Sequence, residues 1–257
     1  MARWSSATLR QHVQAGLTHR LVVGGPEKLQ VNEIDAPEVM PGHVVIDVKS
    51  GSINFPDVLM IQGLYQFQPP LPFIPGGESA GVISEVGEGV TKFKEGDKVF
   101  AMTGVGAFAE KILAAESNCM PIPESMDFDS AAALSMTYGT SLYALKQRAK
   151  IKNGETLVVL GASGSTGIAA IQIGKIYGAK VIAASSSKEK QDFTKKLGAD
   201  ISIGYENLKD DLKRITNGKG VDIIFDPVGG SLFETSSRAL ARYGRILVIG
   251  FASGEIP

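Results

Sequence analysis

The chain has 257 residues, of which 44% are hydrophobic and 21% charged, and its mean hydropathy is +0.08. These values are typical of a globular protein, and the length is sufficient for two domains with buried cores. The net charge of −1 gives no general attraction to nucleic acid or to a membrane surface, and no apolar run approaches the ~20 residues that cross a bilayer. We therefore expect neither nucleic acid nor membrane as a partner. Cys119 is the single cysteine, which excludes an intrachain disulfide and suits a reducing compartment.

The first 26 residues have an unusual composition. They contain no Asp or Glu, but they include three arginines and several Ser and Thr residues. A basic, hydroxyl-rich and acid-free start is typical of an organelle transit peptide, so residues 1–23 are predicted to direct the protein to the mitochondrion. The alternative is a disordered tail or a misassigned start on a cytoplasmic protein, and the composition does not decide between them.

Residues 24–149 are predicted to form a β-rich domain that ends in a helical segment. Short alternating apolar runs at 44–48, 81–86 and 97–101 indicate strands, and turns that contain Gly or Pro separate them. This pattern is typical of a barrel-like module. Residues 127–149 then have a helical pattern, with Asp127 or Asp129 as the N-cap.

Residues 150–257 are predicted to form a second domain that binds a dinucleotide. An apolar run at 157–160 meets a glycine-rich turn, which is followed by a helical pattern and a second apolar run at 181–184. Strand, tight turn, helix and strand make the dinucleotide-binding unit, and the spacing here is Ala-x-Gly-x-x-Gly. The turn consists of Gly161, Ala162, Ser163, Gly164, Ser165, Thr166 and Gly167.

Each glycine of this turn has a separate predicted task. Gly161 lets the chain turn sharply out of the strand, Gly164 lets a pyrophosphate approach the backbone, and Gly167 lets the helix lie close to the sheet. The phosphates then meet the N–H groups and the positive dipole end of the helix that starts near Ser165.

The tip of the second strand indicates which dinucleotide is bound. A site for NAD usually has Asp or Glu about 20 residues after the glycines, where the carboxylate binds the ribose hydroxyls. Here the tip reads Ala-Ala-Ser-Ser-Ser from residue 183, and Lys188 and Lys190 follow. A 2′-phosphate is attracted by lysine and repelled by a carboxylate, so NADPH is the predicted cofactor. A solvated helix start, with a serine N-cap and exposed lysines, would have the same sequence.

The rest of this domain alternates helices and strands. Helices are predicted at about 188–198, 206–217 and 231–242, and strands at 200–203, 221–225 and 245–251. Alternation of this kind builds a doubly wound parallel sheet, so the predicted fold class is α/β preceded by a β domain.

Taken together, these features resemble the medium-chain dehydrogenase/reductase superfamily, and within it the zinc-free NADPH:quinone oxidoreductase branch. The resemblance runs from Gly24 to Pro257 and depends on the order and spacing of short segments, namely 24–27, 54–57 (Asn-Phe-Pro-Asp), 63–65, 72–76, 97–99, 161–167, 226–230 and 250–251. It implies a GroES-like β-barrel domain followed by a Rossmann sheet. It also implies an enzyme that transfers reducing equivalents from NADPH to a small-molecule quinone.

The resemblance further implies that no zinc is bound. Zinc-dependent relatives hold the catalytic metal with a Cys and a His, whose positions fall near Ser52 and at Gly77 in this chain, and neither can ligate zinc. One cysteine cannot form a four-cysteine structural site, and the three histidines have no metal-ligand spacing. Without a Lewis acid, a quinone is a suitable acceptor because hydrogen bonds alone can stabilise its delocalised reduced anion.

Three residues of the first domain have implied roles at the substrate. By the resemblance, Asn54 and Tyr65 line the pocket over the nicotinamide and could donate hydrogen bonds to the substrate, while Asp57 orients its neighbours. Turn chemistry would equally explain Asn54 and Asp57, and a half-buried ring would explain Tyr65.

Further residues have implied roles at the cofactor. Thr140 matches a family threonine near the nicotinamide end, and Gly250 and Phe251 offer backbone groups to the carboxamide. Lys190 and Tyr205 match positions that hold the 2′-phosphate, and Ser186 lies in the same strand tip. Packing of Thr140 and capping of a strand by Tyr205 are the structural alternatives.

The C-terminus departs from the family pattern. The chain ends just after the predicted fifth strand, whereas family members continue with a sixth strand that usually builds the homodimer edge. We therefore expect a sheet that lacks its last strand and the usual dimer edge, in a fragment, a splice form or an incomplete gene model. Three functions remain open: an NADPH:quinone reductase with weak or no turnover, an enone or acryloyl-thioester reductase, and a crystallin-like protein that binds NADPH without catalysis.

Overall fold

The computed structural model describes residues 24–256, which form two compact units. The first unit ends at Met136 and the second begins at Thr137. The predicted targeting segment, residues 1–23, lies outside the described residues. No helix within residues 24–256 is long and apolar enough to cross a membrane.

The first unit contains a five-stranded antiparallel sheet with strand order β4-β1-β2-β3-β5. Its strands are β1 (His43–Ser52), β2 (Glu78–Val86), β3 (Lys98–Met102), β4 (Lys111–Ala115) and β5 (Cys119–Pro121). Helix α1 (Phe55–Gln62) follows β1, helix α2 (Phe128–Ala132) follows β5, and short 3₁₀ turns lie at Pro26–Lys28 and Glu116–Asn118. The three predicted strands are confirmed, each with bounds within a few residues.

The two faces of this sheet bury different clusters of side chains. Val44, Ile46, Ile83 and Val99 lie in one cluster with Cys119, and all five are buried. A smaller cluster on the face next to α2 contains Ala80, Phe100, Ile122, Ala131 and Ala132. Each large apolar side chain buried in this way contributes about 1.5–3 kcal/mol to folding. Because neighbouring residues of a strand point to opposite faces, Ala80 and Ile83 of β2 belong to different clusters.

The predicted helix 127–149 is divided into several parts. Asp127 caps α2 by accepting the Ser130 N–H, as predicted. After Ala132 the chain forms π-helical turns at Ser135–Gly139 and Tyr143–Arg148, which flank the short helix α3 (Thr140–Leu142). The predicted helical pattern is therefore confirmed over most of the segment, with a break after Ala132. At the break, the Met136 N–H donates to the Glu78 carboxylate at 2.8 Å and not to a carbonyl of the preceding helical turn.

The predicted boundary at residue 149 also differs from the division that the structure shows. Residues from Thr137 onward belong to the second unit, because this segment packs on helix α4 (Ser165–Ile176). Tyr138 Oη donates to Gln172 at 2.6 Å, and Ser141 Oγ donates to the Thr166 carbonyl at 2.9 Å. Helical periodicity alone could not have shown which domain this segment packs against.

The second unit contains a five-stranded parallel sheet with strand order β10-β9-β6-β7-β8. Its strands are β6 (Thr156–Val159), β7 (Lys180–Ala184), β8 (Ile201–Ile203), β9 (Val221–Asp226) and β10 (Leu240–Val248). Besides α4, its helices are α5 (Lys188–Lys196), α6 (Leu208–Ile215) and α7 (Gly230–Ser237). Leu157 and Val159 face one core while Val158 and Leu160 face another, so the sheet is covered on both faces. The predicted doubly wound parallel sheet is confirmed.

The edge strand β10 begins earlier than predicted. The helix expected at 231–242 ends at Ser237, and Leu240 already pairs with Val221 of β9. A bulge then shifts the register before Arg245 pairs with Ile223. A Cβ at Gly244 would come within 2.7 Å of Leu240 Cδ2, so a glycine suits the bulge.

A bidentate ion pair fastens β10 to the rest of the unit. Arg245 donates from Nη1 and Nη2 to the two carboxylate oxygens of Glu155 at 2.9 and 2.8 Å, and from Nε to the Ala149 carbonyl at 3.2 Å. This ion pair holds the pKa of the Glu155 carboxyl below its usual value. The edge strand is thereby joined to the start of β6 by side chains as well as by the sheet.

Replacement of Gly167 by alanine should destabilise the second unit. A Cβ at this position would lie 2.7 Å from the Gly161 carbonyl oxygen and 2.8 Å from Ala162 Cα, so α4 would have to move away from the turn. We expect a loss of about 1–3 kcal/mol in the free energy of unfolding, measured by urea titration. Gly139→Ala is the control, because its Cβ would meet nothing within 4 Å and its φ of −59° suits any residue. Equal stability of the two variants would contradict the close packing at Gly167.

Candidate functional site

The glycine-rich turn lies where β6 ends and α4 begins. Gly161 has φ +55°, a conformation that glycine adopts without strain, and α4 begins at Ser165 with Gly164 as the N-cap. The turn is bonded to the neighbouring strand β7, since Ala162 N–H donates to the Ala184 carbonyl at 3.2 Å. Ala162 is buried, Ser163 and Thr166 are half-buried, and Gly164 and Ser165 are exposed. The structure thus brings the predicted turn residues together at the carboxyl edge of the sheet.

The first turn of α4 provides a place for an anion. The first N–H groups of a helix have no partner within the helix and point along its positive dipole end. A Cβ at Gly164 would lie 3.3 Å from the Gly161 carbonyl oxygen, so this position is tight even without a ligand. A bare backbone next to a helix N-terminus is suited to an anion such as the predicted pyrophosphate.

Tyr205 holds the glycine turn in place. Its hydroxyl accepts the Gly161 N–H at 3.2 Å and donates to the Ala184 carbonyl at 3.3 Å. Burial raises the pKa of this phenol, so it stays protonated and keeps both bonds. The residue lies close to the predicted phosphate site, but its hydroxyl is bonded to the backbone of the glycine turn and of β7.

The tip of β7 carries hydroxyl and ammonium groups. Lys190 Nζ donates to Ser186 Oγ at 3.4 Å, and both residues are exposed. Ser187 caps α5 by accepting the Lys190 N–H at 3.3 Å. None of the ion pairs within residues 24–256 includes Lys190. A charge that faces solvent beside a serine is available to a phosphate.

A second loop borders the glycine turn, and it contains a carboxylate for which the sequence predicted no role. Asp226, at the end of β9, is fully buried, and its Oδ1 accepts the N–H groups of Val228 and Gly229 at 2.8 and 2.9 Å. This turn brings Val228 against Gly161, where a Cβ would lie 3.0 Å from Val228 Cγ2. The Asp-Pro-Val-Gly-Gly segment was visible in the sequence, but the partners of the carboxylate were not.

The residues predicted at the nicotinamide end lie around these elements. Thr140 is half-buried, and its neighbour Ser141 is bonded to the Thr166 carbonyl of α4. Gly250 and Phe251 lie just beyond β10, which ends at Val248, and Gly250 N–H donates to the Asp226 carbonyl at 3.4 Å. All of these predicted cofactor residues therefore belong to the second unit.

In the first unit, the predicted residues Asn54 and Asp57 form the N-terminus of α1. Asn54 is the N-cap, and its backbone N–H donates to Asp57 Oδ2 at 2.7 Å in a capping box. Asn54 Nδ2 donates to Glu78 Oε1 at 2.9 Å and, more weakly, to Ser52 Oγ at 3.4 Å. Both amide hydrogens thus have partners within the protein. The sequence predicted no role for Glu78.

Two buried carboxylates, those of Asp57 and Glu78, accept hydrogen bonds from Asn54. Asp57 and Glu78 are 3% and 1% exposed, and no ion pair within residues 24–256 includes either. Burial raises the pKa of the Asp57 carboxyl and the nearby Glu78 raises it further, while N–H groups of Asn54, Gly77 and Gly76 oppose the shift. A buried carboxyl with a raised pKa, such as that of Asp57, is a feature that is concentrated at functional sites.

Tyr65 lies just beyond the end of α1. Its half-buried ring packs against a cluster of Met60, Ile61 and Phe73. Its hydroxyl has no hydrogen bond to another of residues 24–256. The hydroxyl is therefore available to a ligand, in contrast to the amide of Asn54.

Metal ligands are not grouped anywhere in residues 24–256. No set of three or more His, Cys, Asp or Glu side chains lies close enough to hold an ion in this part of the chain. At the positions where the resemblance places zinc ligands, Ser52 accepts from Asn54 and Gly77 lies beside Asp57.

Comparisons with known proteins identify both units. Residues 40–124 match the family described as alcohol dehydrogenase GroES-like domain, and residues 165–257 match the family described as zinc-binding dehydrogenase. Quinone oxidoreductase-like protein 2 of Mus musculus is 39% identical over 249 residues, which cover 96% of this chain and 70% of the mouse protein.

Solved structures give the same result. The quinone oxidoreductase of Pseudomonas syringae pv. Tomato is 36% identical with a TM-score of 0.89, over 95% of this chain and 76% of that one. The Escherichia coli quinone oxidoreductase, solved in complex with NADPH, is 32% identical with a TM-score of 0.87, over 95% of this chain and 75% of that one. These similarities confirm a GroES-like domain followed by a Rossmann sheet. The chain therefore belongs to the medium-chain dehydrogenase/reductase superfamily of oxidoreductases, in its quinone oxidoreductase-like branch.

Proposed function

We propose that the protein is a zinc-independent reductase that transfers reducing equivalents from NADPH to a quinone. The observation that carries this proposal is the carboxyl edge of the parallel sheet, where a bare glycine turn adjoins a helix N-terminus and an unpaired lysine. Similarity to a quinone oxidoreductase solved with NADPH supports both the cofactor and the substrate class.

The residues of this edge fit the parts of NADPH. The N–H groups at the start of α4 would hold the pyrophosphate, and Lys190 with Ser186 would hold the 2′-phosphate. Thr140 and the backbone at Gly250 and Phe251 would position the nicotinamide end. When bound, NADPH supplies the hydride for the reduction.

On the substrate side, Tyr65 is the better hydrogen-bond donor. A quinone oxygen gains negative charge as it is reduced, and a donor that points at this oxygen lowers the barrier. The Tyr65 hydroxyl is uncommitted among the described residues, whereas the Asn54 hydrogens are taken by Glu78 and Ser52. We therefore assign the direct contact to Tyr65 and an indirect role to Asn54 and Asp57.

Lys190→Ala should remove most of the preference for NADPH over NADH. The parent protein is expected to bind NADPH at least about tenfold more tightly than NADH, a difference of ~1.4 kcal/mol, measured by isothermal titration. Ser186→Asp should reverse the preference, because a carboxylate at this exposed position would repel the 2′-phosphate. Lys196→Ala, which removes the same charge from the last turn of α5, is the control. Equal affinity of the parent protein for both cofactors would contradict the proposal.

Tyr65→Phe should lower kcat for a small p-quinone by about 10- to 100-fold and leave NADPH binding unchanged, because one donor to the developing anion is lost. Tyr177→Phe removes a hydroxyl from another half-buried ring and serves as the control. A variant at position 65 with the kcat of the parent protein would exclude this role. Parallel assays with an enone should give much lower turnover, and the reverse order of rates would point to an enone reductase.

Chelators should change neither turnover nor thermal stability. The proposal contains no step that needs a metal, and the described residues offer no metal-ligand set. Elemental analysis of the purified protein is expected to show zinc far below one equivalent. Stoichiometric zinc, or loss of turnover with EDTA that added zinc restores, would prove the zinc-independent assignment wrong.

A further inference from the structure

We propose that Glu78 is a positioning residue of the site, which turns the Asn54 carboxamide so that its nitrogen faces inward and its oxygen is left to meet a ligand. This inference rests on the proposed function, and it assigns a role to a buried carboxylate that the reaction itself does not use. Glu78 lies at the start of β2 and is 1% exposed.

The orientation of the amide follows from the chemistry of its partner. A carboxylate carries only acceptors, whereas an asparagine side chain has a donor end and an acceptor end. Glu78 Oε1 lies 2.9 Å from the Asn54 side chain, so the end that faces it must be Nδ2. The alternative orientation would bring two oxygen atoms together in a buried place, which is unfavourable.

The orientation decides what Asn54 can recognise. Both hydrogens of Nδ2 are directed to protein groups, Glu78 and Ser52. The remaining oxygen faces the Asp57 N–H in the capping box and has a second lone pair. A ligand group that meets this residue must therefore bring a donor, such as a hydroxyl or an amide N–H. A quinone carbonyl does not meet this requirement, but the hydroxyl groups of the hydroquinone that the reduction produces do. The contact is therefore made as the reaction proceeds, and its loss acts on kcat.

Glu78 must be a carboxylate to hold both of its partners. Its second oxygen, Oε2, accepts the Met136 N–H at 2.8 Å, at the break in the predicted helix. Two donors from different parts of the unit thus meet two acceptors on one side chain. A glutamine of the same shape has a single acceptor, so its NH₂ group would face a donor.

A second substitution, at position 54, can restore the hydrogen bond between the two side chains with donor and acceptor exchanged. In Asn54→Asp/Glu78→Gln, the new amide donates to the new carboxylate and its oxygen accepts the Met136 N–H. The total charge of the pair stays the same, and position 54 keeps an acceptor. Glu85→Gln is the matched control, because Glu85 is an exposed residue of the same strand β2.

The test compares these variants as the full chain, with NADPH and a p-quinone. We expect Glu78→Gln to lower kcat by about 10- to 100-fold, where kcat is calculated from the concentration of NADPH-binding sites measured by titration. The Kd for NADPH should stay within about twofold of the parent value. Glu85→Gln should match the parent protein. The double variant should recover kcat to within about threefold of the parent protein. An unchanged kcat in Glu78→Gln, or a folded double variant no better than Glu78→Gln, would overturn the proposal.

The double variant also covers the case in which Glu78→Gln does not fold. If the second substitution restores a folded, active protein that binds NADPH, this result would support the positioning role of the hydrogen bond between positions 54 and 78. A double variant that folds but stays below about a tenth of the parent kcat would overturn it.

A second readout does not depend on turnover. With selectively ¹⁵N-labelled asparagine, the Asn54 side-chain amide should exchange slowly with solvent, and this protection should be lost in Glu78→Gln. If the Asn54 side-chain hydrogens exchange freely with solvent in the parent protein, the proposed orientation of the amide toward Glu78 is wrong, whatever the activity. A parent protein that reduces no quinone but keeps the protected amide would refute the proposed function and leave the role of Glu78 in orientation supported.

Discussion

The second unit depends on a contact between two stretches of backbone, the turn at Gly161 and the first turn of α4. A single added carbon at Gly167 would lie 2.7 Å from the Gly161 carbonyl oxygen, so these segments are too close for any side chain at this position. The closeness places the helix N-terminus directly above the end of β6. The neighbouring groups reinforce it, since Tyr205 bonds the turn from one side and Val228 packs on it from the other.

Much of this arrangement could be predicted from the sequence, because the information is local. The strand, the glycine spacing and the helix that form the turn are contiguous, and β-strand or helix periodicity is readable over such short spans. The serine and lysine at the tip of β7 lie within one helical turn of each other, so their meeting was also predictable. Asp127 was likewise one of two predicted caps, since a capping side chain and the N–H group that donates to it are only three residues apart.

The parts that could not be predicted depend on residues far apart in the chain. Glu78 meets Asn54 across 24 residues and Met136 across 58, and no periodicity records such pairings. For this reason the sequence indicated only that Asn54 could donate to a substrate, and it did not show that both amide hydrogens have partners within the protein. The break in the helix after Ala132 and the early start of β10 also depend on distant residues. At the break the Met136 N–H donates to the Glu78 side chain, and at the start of β10 Leu240 pairs with Val221 of β9.

The ion pair between Arg245 and Glu155 has a consequence for the synthesis of the chain. Its members are 90 residues apart, and at 5–20 residues per second Glu155 leaves the ribosome roughly 5–18 s before Arg245. Strand β9, which is almost wholly buried in the finished unit, ends 19 residues before Arg245. For roughly the last 1–4 s of this interval β9 therefore has no neighbour on the side that β10 later covers. The nascent protein therefore passes through a period in which an apolar strand edge is open to chaperones or to other nascent chains.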